Sequence, residues 1–206
     1  MDNILNNFVV LFSVVDPVGV AWLFAAMTQG VSRQVQRKMA IRATLYASGI
    51  LLLFLFSGTF LLEWFGISIS AFRIAGGALL FLVSIDMIFA RQSGLRSTTT
   101  TEQDEAIHKQ DVSVFPLAFP LLAGPGAITT LFLFVSSSTV SPLPWDILLV
   151  LVAVLLTTLI ALLYAPILTR SLGETGANVV SRLLGLLLAA LAVQFMVDGI
   201  KASFLT

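Results

Sequence analysis

Val14-Val15-Asp16-Pro17-Val18-Gly19 and Leu122-Ala123-Gly124-Pro125-Gly126 each set a proline in the middle of a long apolar stretch. Apolar stretches of this length read as helices crossing a hydrocarbon core of about 30 Å, which takes about 20 residues. Proline lacks an N–H and fixes φ, so it ends one helical segment and suits the first turn of the next. The same interruption, once in each half of the chain, organises everything around it.

Six stretches are long enough to span, near 4–27, 41–65, 69–90, 113–137, 146–168 and 179–203. They are apolar all round, unlike barrel strands with their alternating pattern. Composition agrees. Of 206 residues, 58% are apolar and 11% charged, and the mean hydropathy is +1.01. Soluble chains have roughly 45–50% and about 25%. Eleven basic and eleven acidic residues balance, so no net charge points to nucleic acid. With no Cys and one His, zinc or iron–sulfur ligation and disulfides are disfavoured, and no cofactor or metal is expected. The lipid bilayer is the partner that composition implies. Met1-Asp2-Asn3 offers no basic region and no cleavage site follows, so the first stretch reads as a retained span.

The chain reads as one transmembrane domain, 1–206, made of a first half (1–90), a polar connection (91–112) and a second half (113–206). His108 in the connection reads as part of a solvated linker. Arg33, Arg37, Lys38, Arg42, Arg91, Arg96, Lys109, Arg170 and Arg182 fall on one side of the expected topology, and only Arg73 and Lys201 on the other. The basic side marks the cytoplasm, which puts both termini on the outer face of the membrane.

The halves superpose in sequence. Asp16-Pro17 aligns with Gly124-Pro125, and Arg73-Ile74-Ala75-Gly76 with Arg182-Leu183-Leu184-Gly185. Pro17 to Arg73 is 56 residues and Pro125 to Arg182 is 57, and Met87 and Met196 continue the register. Three spans is an odd number, so the second copy enters the bilayer upside down. The expected fold is therefore an all-α inverted 3+3 repeat with discontinuous first and fourth spans, a plan that recurs in secondary transporters with the substrate at the midplane. Arg73 and Arg182 read as interfacial anchors or as a gating ion pair.

Asp16 follows Ile4 by twelve residues, about 18 Å of helix, which places it near mid-membrane. It is a natural N-cap for a helix restarted at Pro17, leaving the amides of Val18 and Gly19 without intrahelical acceptors. Gly124-Pro125-Gly126 allows an unwound turn and a restarted helix through Ala127, Thr129 and Thr130. Two helix N-termini facing one cavity would favour an anionic group such as a carboxylate. The Asp16 side chain beside them would hold an ammonium, and the pair suits a zwitterionic amino acid. A charged Asp in mid-span costs about 2.5–3.5 kcal/mol, of which a cap recovers about 1 kcal/mol, and the difference argues for a further role. Ser13 either lines this cavity or bonds back within its helix. Gln194 reads as helix–helix glue.

At these residues the chain resembles the MarC family of bacterial integral membrane proteins, also grouped as small neutral amino acid transporters. The matching stretches are Asp16-Pro17-Val18-Gly19, Phe65-Gly66-Ile67-Ser68-Ile69 with Arg73-Ile74-Ala75-Gly76-Gly77, Phe115-Pro116-Leu117-Ala118 with Ala123-Gly124-Pro125-Gly126, Ser181-Arg182-Leu183-Leu184-Gly185, and Gln194-Phe195 with Asp198-Gly199-Ile200. The resemblance covers essentially the whole chain. It implies six spans in a bacterial inner membrane, with the outward-facing termini in the periplasm, inverted repeats with discontinuous first and fourth helices and, where members have a defined activity, transport of glycine- or alanine-like substrates. Val20 and Trp22 stand where members often carry Asn and Pro, and the lost amide and added bulk bear on which side chain the site accepts.

The leading expectation is thus a secondary transporter of small neutral amino acids, with a proton as coupling ion. A passive channel and an exporter of other small metabolites are the alternatives, and whether the chain forms a homo-oligomer is open. An intramembrane enzyme lacks parts, since no Cys or His lies in a span and Asp16 has no carboxylate partner at matching depth.

Overall fold

The computed structural model describes residues 2–89, 111–137 and 145–204. All regular structure among them is helical: α1 (Asp2–Val15), α2 (Pro17–Met27), α3 (Arg33–Trp64), α4 (Ile69–Ile88), a wide irregular coil α5 (Ser113–Leu122), α6 (Pro125–Ser137), α7 (Trp145–Leu163) and α8 (Ala165–Phe204). Five helical stretches are long and apolar enough to cross a membrane, with α1 and α2 taken as one, and six if the bent pair α5 and α6 forms a further span. The expected connection over 91–112, His108 included, lies almost wholly outside the described residues.

Each boundary has a local cause. Between α1 and α2 Asp16 sits in the left-handed region (φ 50°, ψ 66°), which Asp tolerates better than most residues. Pro17 then opens α2. Chain reversal after α3 uses Gly66 at φ 66°, with the amide of Ile67 donating to the Leu62 carbonyl at 2.9 Å, the glycine-terminated motif common at helix C-termini. Ser68 caps α4 by accepting the Ala71 amide at 3.2 Å. In α5 Pro116 and Pro120 remove two donors, and Phe115 and Phe119 take extended backbone angles before them, as residues preceding proline prefer. Its amides reach back five residues, Leu117 to Val112 and Ala123 to Ala118. Both Phe–Pro bonds are cis. α5 and α6 meet at 47°.

Two elements and one side chain differ from the sequence expectation. α3 begins at Arg33, not near 41, because its first turns are polar and apolarity marks the hydrocarbon rather than the helix end. α8 runs from Ala165, taking in the end of the expected span 146–168 and the expected connection 169–178, and is bent at Gly173 (φ 64°, ψ −179°). Gln194 is no interhelical glue: it is exposed and donates to Asp198 at 2.8 Å, one turn along its own helix.

The interior is built of small and aliphatic side chains, Leu51, Leu80, Leu117, Leu122, Leu131 and Leu188 among those fully buried. α4 lies antiparallel along α8. Gly77 faces Ala192 and Met196, Gly185 faces Ser84 and Met87, and Gly199 faces Ser70 and Ile74. Gly58 of α3 makes room for the Phe132 ring, which also stacks obliquely on Phe72 with centroids 5.2 Å apart. Large apolar residues such as Leu53, Phe56, Phe60, Leu156, Leu183 and Leu186 face outward, as lipid-facing surface requires. Trp64 and Trp145 are exposed at helix ends, where amphipathic rings suit the headgroup level.

Candidate functional site

Asp16 is 3% exposed, between α1 and α2. Its Oδ1 accepts the Gly19 amide at 3.1 Å, the N-cap geometry expected of it. Its Oδ2 accepts the hydroxyl of Ser181 on α8 at 2.8 Å. Ser181 was not among the residues singled out as lining the site. It lies 165 positions away, and only the packing of α2 on α8 brings it there.

This second bond alters the energetics. A cap recovers about 1 kcal/mol, and a hydrogen bond to a charged group contributes about 1.5–3 kcal/mol. Together they offset the roughly 2.5–3.5 kcal/mol that a mid-span carboxylate costs. Asp16 is therefore sustained by its own surroundings, and the argument that its burial demands a ligand falls away.

The second interruption abuts the first. A methyl group on Gly126 would lie 3.2 Å from Cγ1 of Val14, two residues before Asp16. Gly124, Pro125, Gly126 and Ala127, the first turn of α6, line a cleft with Val14 and Val83 whose volume of about 10 Å³ admits roughly one water. The amides of Gly126 and Ala127 come before any intrahelical acceptor exists for them. Asp16, Pro17, Val18 and Gly19 do not line this cleft. Pro17 is buried, and Val18 faces a separate apolar groove with Trp22, Leu168, Leu172 and Gly173. Val14 and Gly126 thus bring the two interruptions side by side, while the residues expected to bind substrate line different clefts, Gly124 to Ala127 the first and Val18 the second.

The hydroxyls are arranged for packing. Ser13 is fully buried and donates to the Val9 carbonyl at 2.7 Å, so of its two readings the back-bond is the one found. Thr130 is buried and donates to Gly126 at 2.8 Å. Thr129 is buried too, its methyl against Gly76 of α4. Among the described residues no three acidic or histidine side chains group closely enough to hold a metal ion.

At the start of α5, Asp111 accepts the Ser113 amide at 3.0 Å and pairs with Arg42 at 3.0 Å. Hydrogen bonds from Ser113, and secondarily Arg42, hold its carboxyl below the usual carboxylate range.

Comparison with known proteins agrees with this helical membrane architecture. Residues 1–204 match the family model described as MarC family integral membrane protein. A UPF0056 membrane protein of Archaeoglobus fulgidus is 37% identical over 94% of this chain and 90% of its own length. The Escherichia coli UPF0056 membrane protein YhcE is 38% identical over 96% and 91%. A Buchnera aphidicola relative of the same designation is 38% identical over 97% and 92%. No solved structure matches the chain. Full-length coverage at this identity, on a chain with five or six apolar helices, leaves one assignment: the protein is a member of the MarC family of integral membrane proteins.

Proposed function

We propose that this protein is a secondary transporter of small neutral amino acids, of glycine or alanine size, working by alternating access in a bacterial inner membrane. In this reading α1–α4 and α5–α8 are inverted three-span repeats, α1/α2 and α5/α6 are their discontinuous first spans, and both termini lie outside.

The observation that carries the reading is the meeting of the two interruptions. Asp16-Pro17 and Gly124-Pro125-Gly126 come from opposite halves of the chain, yet Val14 and Gly126 pack together. Broken helices meeting at a repeat interface are where secondary transporters bind substrate. The seam between α4 and α8 lends support to the repeat. Met87 packs on Gly185 and Met196 on Gly77. In the internal alignment Met196 answers to Met87 and Gly185 to Gly76, so a two-fold axis between the helices would carry one contact onto the neighbourhood of the other. The short residues around the second break, Gly126, Ala127 and Thr129, favour a small substrate. The cleft is too small for an amino acid as it stands, so binding requires the helices around it to part.

In the substrate complex Asp16 would hold the ammonium, and the free amides opening α6 the carboxylate. A proton is the natural coupling ion, Asp16 being the buried acid at the break. The test is uptake of labelled glycine and alanine into proteoliposomes under an imposed proton gradient. Saturable uptake that collapses with the gradient, and that Asp16→Asn abolishes, is expected. Non-saturable flux indifferent to the gradient would instead identify a passive channel, and outward-directed transport of other metabolites an exporter.

A further inference from the structure

The carboxylate of Asp16 is gripped from two sides by elements far apart in sequence. Gly19 holds Oδ1 from the first turn of α2, and Ser181 holds Oδ2 from α8. Gly19 is what lets the grip close. A methyl group there would collide with Oδ2 of Asp16 and lie 2.9 Å from Oγ of Ser181, so any larger residue would wedge the two apart. Ser181 spends its hydroxyl on this carboxylate, whereas Ser171, also on α8, spends its own on the Ile167 carbonyl one turn back.

We propose that Ser181 is a positioning residue of the transport site. Its hydroxyl fixes the orientation of the Asp16 carboxylate so that the carboxylate can receive the ammonium of an amino acid. The assignment rests on the transport reading above. It also ties the last helix of the second half to the break in the first.

The experiment is the kinetics of glycine uptake in proteoliposomes by wild type, Ser181→Ala, Ser181→Thr and Ser171→Ala, with thermal unfolding measured on each. Losing a hydrogen bond that orients a charged group should raise KM about tenfold. The maximal rate should stay within about twofold of wild type, since the carboxylate itself remains. Ser181→Thr should restore KM, and Ser171→Ala should match wild type. A merely structural tie would lower the unfolding temperature and leave KM unchanged. Should Ser181→Ala fail to fold, Gly19→Ala reads the same relationship by pushing hydroxyl and carboxylate apart, and should raise KM likewise. Wild-type kinetics in Ser181→Ala, or in Gly19→Ala where that variant stands in, overturn the assignment alone. A wild type that carries none of the small neutral amino acids overturns the transport reading, and this assignment with it.

Discussion

Gly77 of α4 lies so close to Ala192 of α8 that a methyl group on it would sit 2.7 Å from the Ala192 carbonyl oxygen. The same methyl would lie 3.0 Å from the Met196 amide nitrogen, so the obstacle is backbone and cannot swing aside. Helices approach this closely in membranes through small residues, because van der Waals packing rather than solvent exclusion holds them.

Gly77→Val should therefore separate α4 from α8 and destabilise the protein by about 1–3 kcal/mol, the usual range for overpacking. Gly49→Ala, in the exposed middle of α3 with nothing within 4 Å, should leave the unfolding temperature equal or slightly higher. Thermal unfolding of the two variants in detergent measures the contrast.

Asp16→Asn and Asp16→Ala should part company in stability. Asn keeps an acceptor for the Gly19 amide and tolerates the left-handed backbone. Ala loses the cap, about 1 kcal/mol, and leaves the half-buried Gly19 amide and Ser181 hydroxyl without their acceptor, about 1 kcal/mol more. The Ala variant should unfold well below the Asn variant; equal unfolding temperatures would mean the cap contributes nothing.

At Gly173 the backbone occupies φ 64°, ψ −179°, a region open essentially to glycine, and nothing lies within 4 Å of the missing side chain. Gly173→Ala should thus cost about 1–3 kcal/mol through backbone strain with no packing component. Limited proteolysis across 165–178 should speed up in that variant, as the bend between the two parts of α8 relaxes.

The pair at Asp111 makes stability depend on pH in one direction. Its folded-state pKa is lowered, by Ser113 first and Arg42 less, so its contribution is fully present above the ordinary carboxylate value near 3.9. That contribution is lost as pH falls through the depressed folded-state value. Wild type should unfold at a higher temperature than Asp111→Asn at pH 6, and the gap should close as the pH drops below about 4. Arg42→Gln should have the smaller effect, since that ion pair is exposed.

What could be read from sequence alone follows the range of the interactions involved. The helix boundary at Asp16-Pro17 was legible because proline acts on its own turn. The spans were legible because hydrocarbon demands a run of apolar residues whatever they pack against. The start of α3 was not, since Arg33 to Lys38 form helix outside the apolar run. Ser181 carries no local mark of its bond to Asp16; the packing of α8 on α2 is what brings the two together. The course of α5 was half visible: Pro116 and Pro120 announce a poor helix, but not which carbonyls five residues back would rescue its amides.

The cleft at the second interruption is walled on one side by Gly124, Pro125, Gly126 and Ala127, residues with little or no side chain to rotate. On that wall a solute would meet main chain rather than a rotamer to push aside, while Val14, Val83 and Leu121 are among the residues lining the remainder. Under the transport reading, widening this wall takes movement of α6 itself, at the pace of collective backbone motion, microseconds to milliseconds, rather than that of a flipping side chain.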